Sequence, residues 1–307
     1  MRERQEAARY AMMHHGLSAA LPWGLIAASM ACLLTLLALF TRAALANHRR
    51  CWRVSHFPAK AKETHPREDE DVPVPHTIVL RTLPRSRRRD AAILAARAFC
   101  DSPAYVHILR GDRTFRLEAL VWLFERNIAL VQDESALDPT RCLFSSSDSI
   151  SSFFWLRPFA TPVSLWSKIR AGLLWFPILF GTAPFRRLLS IGDKLDETTR
   201  VVVQKHISSD FLKETLVLER MVVDPSLHGR GLGSACLNSA LASHAKAPVV
   251  LSTQLQRNVE FYSRIGFQVV LEQRFGAPGD PFGFRSWWML RPAAGVVATS
   301  SAKVKSS

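Results

Sequence analysis

The sequence predicts one α/β (α+β) domain behind a single N-terminal transmembrane helix. Three observations predict this. Short β-branched runs alternate with helix-periodic segments between residues 76 and 292, a glycine-rich turn sits between a strand and a helix, and an uncharged apolar stretch lies near the N-terminus. At 48% hydrophobic and 21% charged, the 307 residues have a globular composition. Wholesale disorder, a collagen-like repeat and a polytopic membrane protein are excluded.

The apolar stretch comes first. Leu21 to Thr41 is 21 residues without a charge, which as a helix spans about 31 Å, one hydrocarbon core. Arg2, Glu3, Arg4, Glu6 and Arg9 precede it, while Arg42, Arg49, Arg50, Arg53, Lys60 and Lys62 follow before the first acid, Glu63. The positive-inside rule then leaves the C-terminal side in the cytoplasm. The competing reading is a cleaved signal or targeting sequence, since Ala44-Leu45-Ala46 is an A-x-A site. Residues 1–20 form a short leading segment. Residues 42–75, with four prolines from Pro58 to Pro75 and the acidic run Glu68–Asp71, read as a flexible linker. The domain occupies 76–292, and 293–307 is a Ser/Ala/Lys-rich disordered tail.

Within the domain, Thr77–Leu80 opens as a strand, followed by a helix over about Arg89–Cys100 with Ala91, Leu94, Ala95 and Ala98 in register. A second helix covers about Asp112–Arg126, and short strands are expected at Ile128–Val131 and Ile150–Leu156. Ala171–Phe185 is apolar but only 15 residues long, interrupted by Pro177 and Gly181. It reads as a buried or interfacial helix of the domain rather than a second span. Leu216–Val223 is a strand stopped by Asp224-Pro225, and a helix with Leu237, Ala240, Leu241 and His244 in register follows the glycine turn. Val249–Leu251 is a buried strand, Asn258–Ile265 a short helix, and Phe267–Leu271 and Ser286–Leu290 the last strands.

Charge and cysteine narrow the function classes. The net charge of +14 is spread along the chain, and its dense run, Arg85 and Arg87–Arg89, reads as a solvated face. With no recognition helix, aromatic–basic interleaving or zinc pattern, no nucleic-acid partner is expected. Five cysteines (Cys32, Cys51, Cys100, Cys142, Cys236) without a CxxC argue against a disulfide framework and a zinc site. No metal is expected.

The chemistry concentrates at His228-Gly229-Arg230-Gly231-Leu232-Gly233. Glycines there allow positive φ and close approach of the backbone to a ligand, and the N–H groups of the following helix make an anion site. The P-loop pattern fails because no Lys-Ser/Thr follows, and GxGxxG fails because the spacing is G-x-G-x-G. Downstream lies Arg257-Asn258-Val259-Glu260-Phe261-Tyr262-Ser263-Arg264-Ile265-Gly266-Phe267.

With Val223-Asp224-Pro225 before the turn, these two segments resemble the GNAT superfamily of N-acetyltransferases. Its motifs are Gln/Arg-x-x-Gly-x-Gly/Ala after a strand ending Val-x-Pro, and Asn…Phe-Tyr-x-x-x-Gly-Phe. The likeness extends over about 78–291 and is similar to the branch of puromycin N-acetyltransferases and other small-molecule acetyltransferases. It implies the GNAT acyl-CoA N-acyltransferase fold, a mixed central sheet with two splayed parallel strands at about Leu216–Val223 and Val249–Thr253. It also implies acetyl-CoA as co-substrate, a small-molecule amine as acceptor, and direct attack of the amine in a ternary complex. On this resemblance the pantetheine arm meets the backbone of Met221, Val222 and Val223. The pyrophosphate lies on His228, Gly229, Arg230, Gly231, Leu232, Gly233 and Ser234, and Asn258 contacts the cofactor. Tyr262 is the candidate acid for the departing thiolate, against a core-packing alternative with its hydroxyl on a backbone carbonyl.

Glu219, interrupting an apolar strand four residues before Val223, is the candidate base; period two places the two on one face. The alternative is a structural pairing to Arg257 or Arg274. Asn258 also reads as an N-cap. Two departures stand out: His228 replaces the usual Gln or Arg, and Thr215-Leu216-Val217-Leu218 stands where relatives often have His-x-Tyr-Leu. They leave open a second class, a membrane-tethered acyl-CoA-binding module without turnover. Acceptor choice is expected to rest on the insertion Trp155–Leu195 and the loop Gly276–Gly283.

Overall fold

A computed structural model describes residues 80–135, 142–145, 152–160 and 165–294. Residues 1–79, which hold the apolar stretch 21–41 and the whole 42–75 linker, and the tail from 295 lie outside the described residues. Among the described residues no helix is long and apolar enough to cross a membrane.

Among the described residues seven strands form one sheet: β1 (Arg81–Thr82), β2 (Cys142–Ser145), β3 (Ser152–Pro158), β4 (Leu216–Val223), β5 (Val249–Thr253), β6 (Gln268–Phe275) and β7 (Phe284–Arg291). Their order is β1-β2-β3-β4-β5-β7-β6, and every neighbouring pair is antiparallel except β4–β5. A parallel pair needs a crossover, here α7 (Leu232–Ser243), which the glycine turn feeds. Leu237, Ala240 and Leu241 of α7 form a buried core with Leu216 and Leu218 of β4, Val249 and Leu251 of β5, and Met289 of β7. Val259 and Tyr262 of α8 (Gln256–Arg264) close it.

The opposite face is covered by α1 (Arg88–Phe99) and α3 (Arg113–Ser135), which pack on each other while α1 also meets β4. Ala91, Ala92, Ala95 and Ala96 of α1 are all buried, so the two helices approach over a surface without long side chains. α2 (Pro103–Leu109) joins them, with proline in its first turn where the missing N–H costs nothing. Asp112 starts α3, its Oδ1 accepting from the Phe115 N–H at 2.7 Å.

Several expectations are corrected. Ile128–Val131 is not a strand but the continuation of α3, with Ile128 completely buried. A four-residue apolar run does not distinguish strand from buried helix, and nothing in 127–131 breaks a helix. Ala171–Phe185 is not one helix. A 3-10 turn at Leu173–Trp175 leads into α5 (Phe176–Phe180), after α4 (Leu165–Arg170), and Gly181 at φ +99° ends it. The chain then enters α6 (Thr182–His206), a long helix with a buried edge at Ile191, Val202 and Val203. α6 is held to the sheet where the buried Trp288 indole N–H donates to Thr199 Oγ1 at 3.0 Å. His244 lies one residue beyond α7 rather than in its register. Cys100 and Cys236 are buried and joined in no disulfide among the described residues.

Candidate active site

β4 and β5 pair only at Leu216↔Val249 and Val217↔Val250, then part. The gap is the floor of a cavity of about 510 Å³, lined by Met221, Val222 and Val223 on one side and Ser252 and Thr253 on the other. The glycine turn and the start of α7 form one wall, and Asn258, Phe261 and Tyr262 of α8 form the next. The remaining end is apolar, built from Phe99 of α1, Tyr105 and Ile108 of α2, and Leu188, Ile191 and Leu195 of α6.

The turn is built in two steps. Asp224 caps a single 3-10 turn, its Oδ1 accepting from the Ser226 N–H at 2.9 Å and the Ser226 hydroxyl at 2.7 Å. Gly229 and Gly231 then adopt φ +81° and +77°, a conformation that costs other residues strain. A Cβ at either position would meet no atom within 4 Å, so the requirement is conformational and leaves the backbone open to a ligand. Gly233 answers to crowding instead: its Cβ would stand 3.2 Å from Val223 Cγ2 and 3.4 Å from Phe261 Cζ. The first N–H groups of α7 have no intrahelical partner and carry the positive end of its dipole, so this wall suits an anion. His228 Nε2 lies 3.2 Å from the Val223 carbonyl, tying the turn to the end of β4.

Tyr262 is buried, its ring 5.0 Å from that of Phe261 and 5.7 Å from that of Phe267. Its hydroxyl makes no hydrogen bond among the described residues, unlike the carbonyl-bonded tyrosine of the packing alternative. Burial pushes its pKa well above the ordinary tyrosine value, so the group keeps its proton at neutral pH.

With this arrangement in place, residues 196–269 match the family model described as acetyltransferase (GNAT) domain. This segment, from the later part of α6 into β6, is similar to a GNAT acetyltransferase domain. Solved structures similar in fold include histone acetyltransferase HPA2 and related acetyltransferase from Corynebacterium glutamicum, at 17% identity. It has a TM-score of 0.45, covering 71% of this chain and 97% of that one. A putative acetyltransferase, yncA from Salmonella typhimurium with its cofactor acetyl-CoA, aligns at 12% identity and TM-score 0.40 over 74% of this chain and 99% of that one. The C-terminal condensation domain of Ebony in complex with β-alanyl-dopamine aligns at 9% identity and TM-score 0.47, over 70% and 98%.

Of the residues assigned to the GNAT cofactor site, Met221, Val222, Val223, His228, Gly229, Gly231, Leu232, Gly233, Ser234 and Asn258 line the one cavity with Tyr262; Arg230 is not part of its lining. Asn258 is not an N-cap. α8 begins two residues earlier at Gln256, and the Asn258 amide donates to Thr253 Oγ1 at 3.1 Å, joining α8 to the edge of the gap. The cavity also takes in Arg220, Arg257 and Arg264, which the motifs did not mark. From the insertion Trp155–Leu195, the residues Leu188, Ile191 and Leu195 border the apolar end of the cavity. The loop Gly276–Gly283 does not; it packs by its Phe282 carbonyl, 3.0 Å from His107 Nδ1, beside a separate groove.

Glu219 departs most from expectation. Opposite Phe154 alone stand two residues, Arg220 and Met221, with Arg220 at φ +52°. This bulge shifts the alternation of β4 by one. Leu218 and Met221 therefore face the α7–α8 core, while Glu219 lies opposite Trp155 on the other face and away from Val223. The carboxylate accepts from Trp155 Nε1 at 2.9 Å and Arg157 Nε at 2.7 Å. Arg157, not Arg257 or Arg274, is its partner. Burial acts to raise the Glu219 pKa, but the Arg157 and Arg220 charges and the two hydrogen bonds outweigh it and hold it below the ordinary value.

A depressed folded pKa contributes stability above the unfolded value near 4.5, lost as the pH falls through the folded value. Glu219→Gln is expected to cost about 1–3 kcal/mol of stability at neutral pH. That loss should vanish in acid, when urea unfolding is followed from pH 7 to 3. The acidic limb of the kcat profile should stay in place; a displaced limb would assign the base to Glu219.

Proposed function

We propose that this chain is a membrane-anchored acetyl-CoA-dependent N-acetyltransferase acting on the amine of a small molecule. The observation that carries the reading is the continuity of one cavity from the glycine turn and helix start, past the Tyr262 hydroxyl, to an apolar end. The residues present fit acetyl-CoA. Two positive-φ glycines with open space above them leave the backbone N–H groups of Gly229–Ser234 free to hold a pyrophosphate, and the parted strands expose Met221–Val223 to a pantetheine amide. When bound, acetyl-CoA supplies a thioester carbonyl to which the neutral amine adds, an N–C bond replacing the C–S bond.

The chain's own residues handle the protons. Tyr262 Oη holds the proton given to the departing sulfur and regains one from solvent. The proton lost by the amine leaves through water at the cavity mouth, with Glu219 as the alternative acceptor that the pH profile decides. The test is release of CoA thiol from acetyl-CoA across antibiotics, polyamines, aminosugars, amino acids and peptide N-termini. Release with none of them, alongside intact acetyl-CoA binding, would leave only the non-catalytic binding module.

The membrane part rests on residues 21–41 and the six cations that follow. Deleting residues 1–46 is expected to convert a carbonate-resistant membrane protein into a soluble one that keeps its transferase activity. A mature chain beginning at Asn47 and recovered soluble in a lumen would make the segment a signal sequence instead.

A further inference from the structure

The apolar end of the cavity holds a cation whose buried Nε has no hydrogen-bond partner among the described residues. Arg220 sits on the β4 bulge, in a backbone conformation that arginine rarely adopts and that persists only where the surroundings over-determine it. Its guanidinium carbon lies 6.0 Å from the ring centres of Tyr105 and Phe124 and 5.9 Å from that of Trp155. Its Nε is buried and has no hydrogen-bond partner. The adjacent Glu219 offers its charge but no hydrogen bond; its two oxygens accept from Trp155 and Arg157. A buried guanidinium N–H left unmatched is costly, and three aromatic faces attract the charge without accepting its directed hydrogen bonds.

The rest of the lining sharpens this. Among the described residues that border the cavity there is no aspartate and no glutamate, while Arg220, Arg257 and Arg264 all border it. Arg257 and Arg264 belong to α8, beside the residues fitted to the cofactor. Arg220 is thus the cation near the acceptor end, where Phe99, Tyr105, Ile108 and Ile191 form the walls. A polyamine entering there would meet an arginine and no counter-charge. An amine carrying its own carboxylate would meet a planar two-toothed donor suited to it, and an apolar side chain would meet the walls.

We infer that Arg220 is a specificity-determining residue whose guanidinium pairs with the acceptor's carboxylate, making the acceptor an amino acid with an apolar or aromatic side chain. This rests on the acetyltransferase reading for the word acceptor; the carboxylate site itself does not depend on turnover.

The test uses the full-length protein with CoA present and calorimetry with N-acetyl-L-phenylalanine and its carboxamide. The acid should bind at least about ten-fold tighter than the amide. Arg220→Met should abolish that preference, and Arg220→Lys, which keeps the charge but not the fork, should retain part of it. Equal affinity for acid and amide in the unsubstituted protein, binding of neither, or an undiminished preference in Arg220→Met overturns the inference. The acid–amide comparison needs no variant, so it holds even if Arg220→Met fails to fold. A parallel assay of CoA thiol release with phenylalanine, phenethylamine and spermidine separates the two readings. Faster turnover of either decarboxylated amine overturns the carboxylate site and leaves the transferase. Acid-selective binding with no release from any amine overturns the transferase and leaves the site.

Discussion

Gly231→Asp is expected to reduce acetyl-CoA affinity by about 100-fold or more, beyond detection in an ordinary titration. Two independent effects add. The residue occupies φ +77° immediately before α7, where a side chain costs about 1–2 kcal/mol of backbone strain. The new carboxylate would also project into the open space above the turn, where no protein atom lies within 4 Å, so the substitution leaves the core untouched. Its charge then stands where the pyrophosphate needs N–H groups, and it competes for the same helix dipole. Calorimetry with acetyl-CoA on a variant with unchanged circular dichroism measures the loss. Retained affinity would remove the turn from the cofactor site.

Tyr262→Phe is expected to lower kcat by about 10- to 1,000-fold with little change in acetyl-CoA affinity. The substitution removes one oxygen that has no hydrogen-bond partner among the described residues and keeps the ring that packs on Phe261 and Phe267. Folding should therefore be unaffected or slightly improved, which separates the chemical from the structural role. Burial raises the pKa of the hydroxyl, so its own ionisation should not appear in the pH–rate profile between pH 6 and pH 9. Full activity in the phenylalanine variant, measured by thiol release, would return Tyr262 to packing.

The legibility of the site followed its locality. The local structure of residues 221–234 and 256–267 could be read because each feature there depends on neighbours in sequence: a strand, a stop, glycines at fixed offsets, a helix face. The strand Leu216–Val223 matched its expected limits, and α1 differed by one residue at each end. Glu219 was misplaced because period two holds only for an unbroken pleat, and no residue type in Leu218-Glu219-Arg220-Met221 announces a bulge. Arginine is not the glycine or asparagine that ordinarily marks positive φ. The partner Arg157 lies 62 residues away and is brought to Glu219 by the β3–β4 register, which only the assembled sheet reveals. The apolar end of the cavity was illegible for the same reason, since α1, α2 and α6 reach it from three separate stretches. The helix α6 was hidden by its start, because the apolar run before Gly181 and the amphipathic run after it are continuous in composition.

The alanine face of α1 has a consequence for how acceptor size is set. Ala91, Ala92, Ala95 and Ala96 of that helix are completely buried, while Ala98 and Phe99 at its end border the cavity. A methylene added at one of the buried positions overpacks the interior and shifts the helix whose end borders the cavity. The size of the cavity can therefore change through positions that do not border it, leaving Tyr262 and the glycine turn as they are.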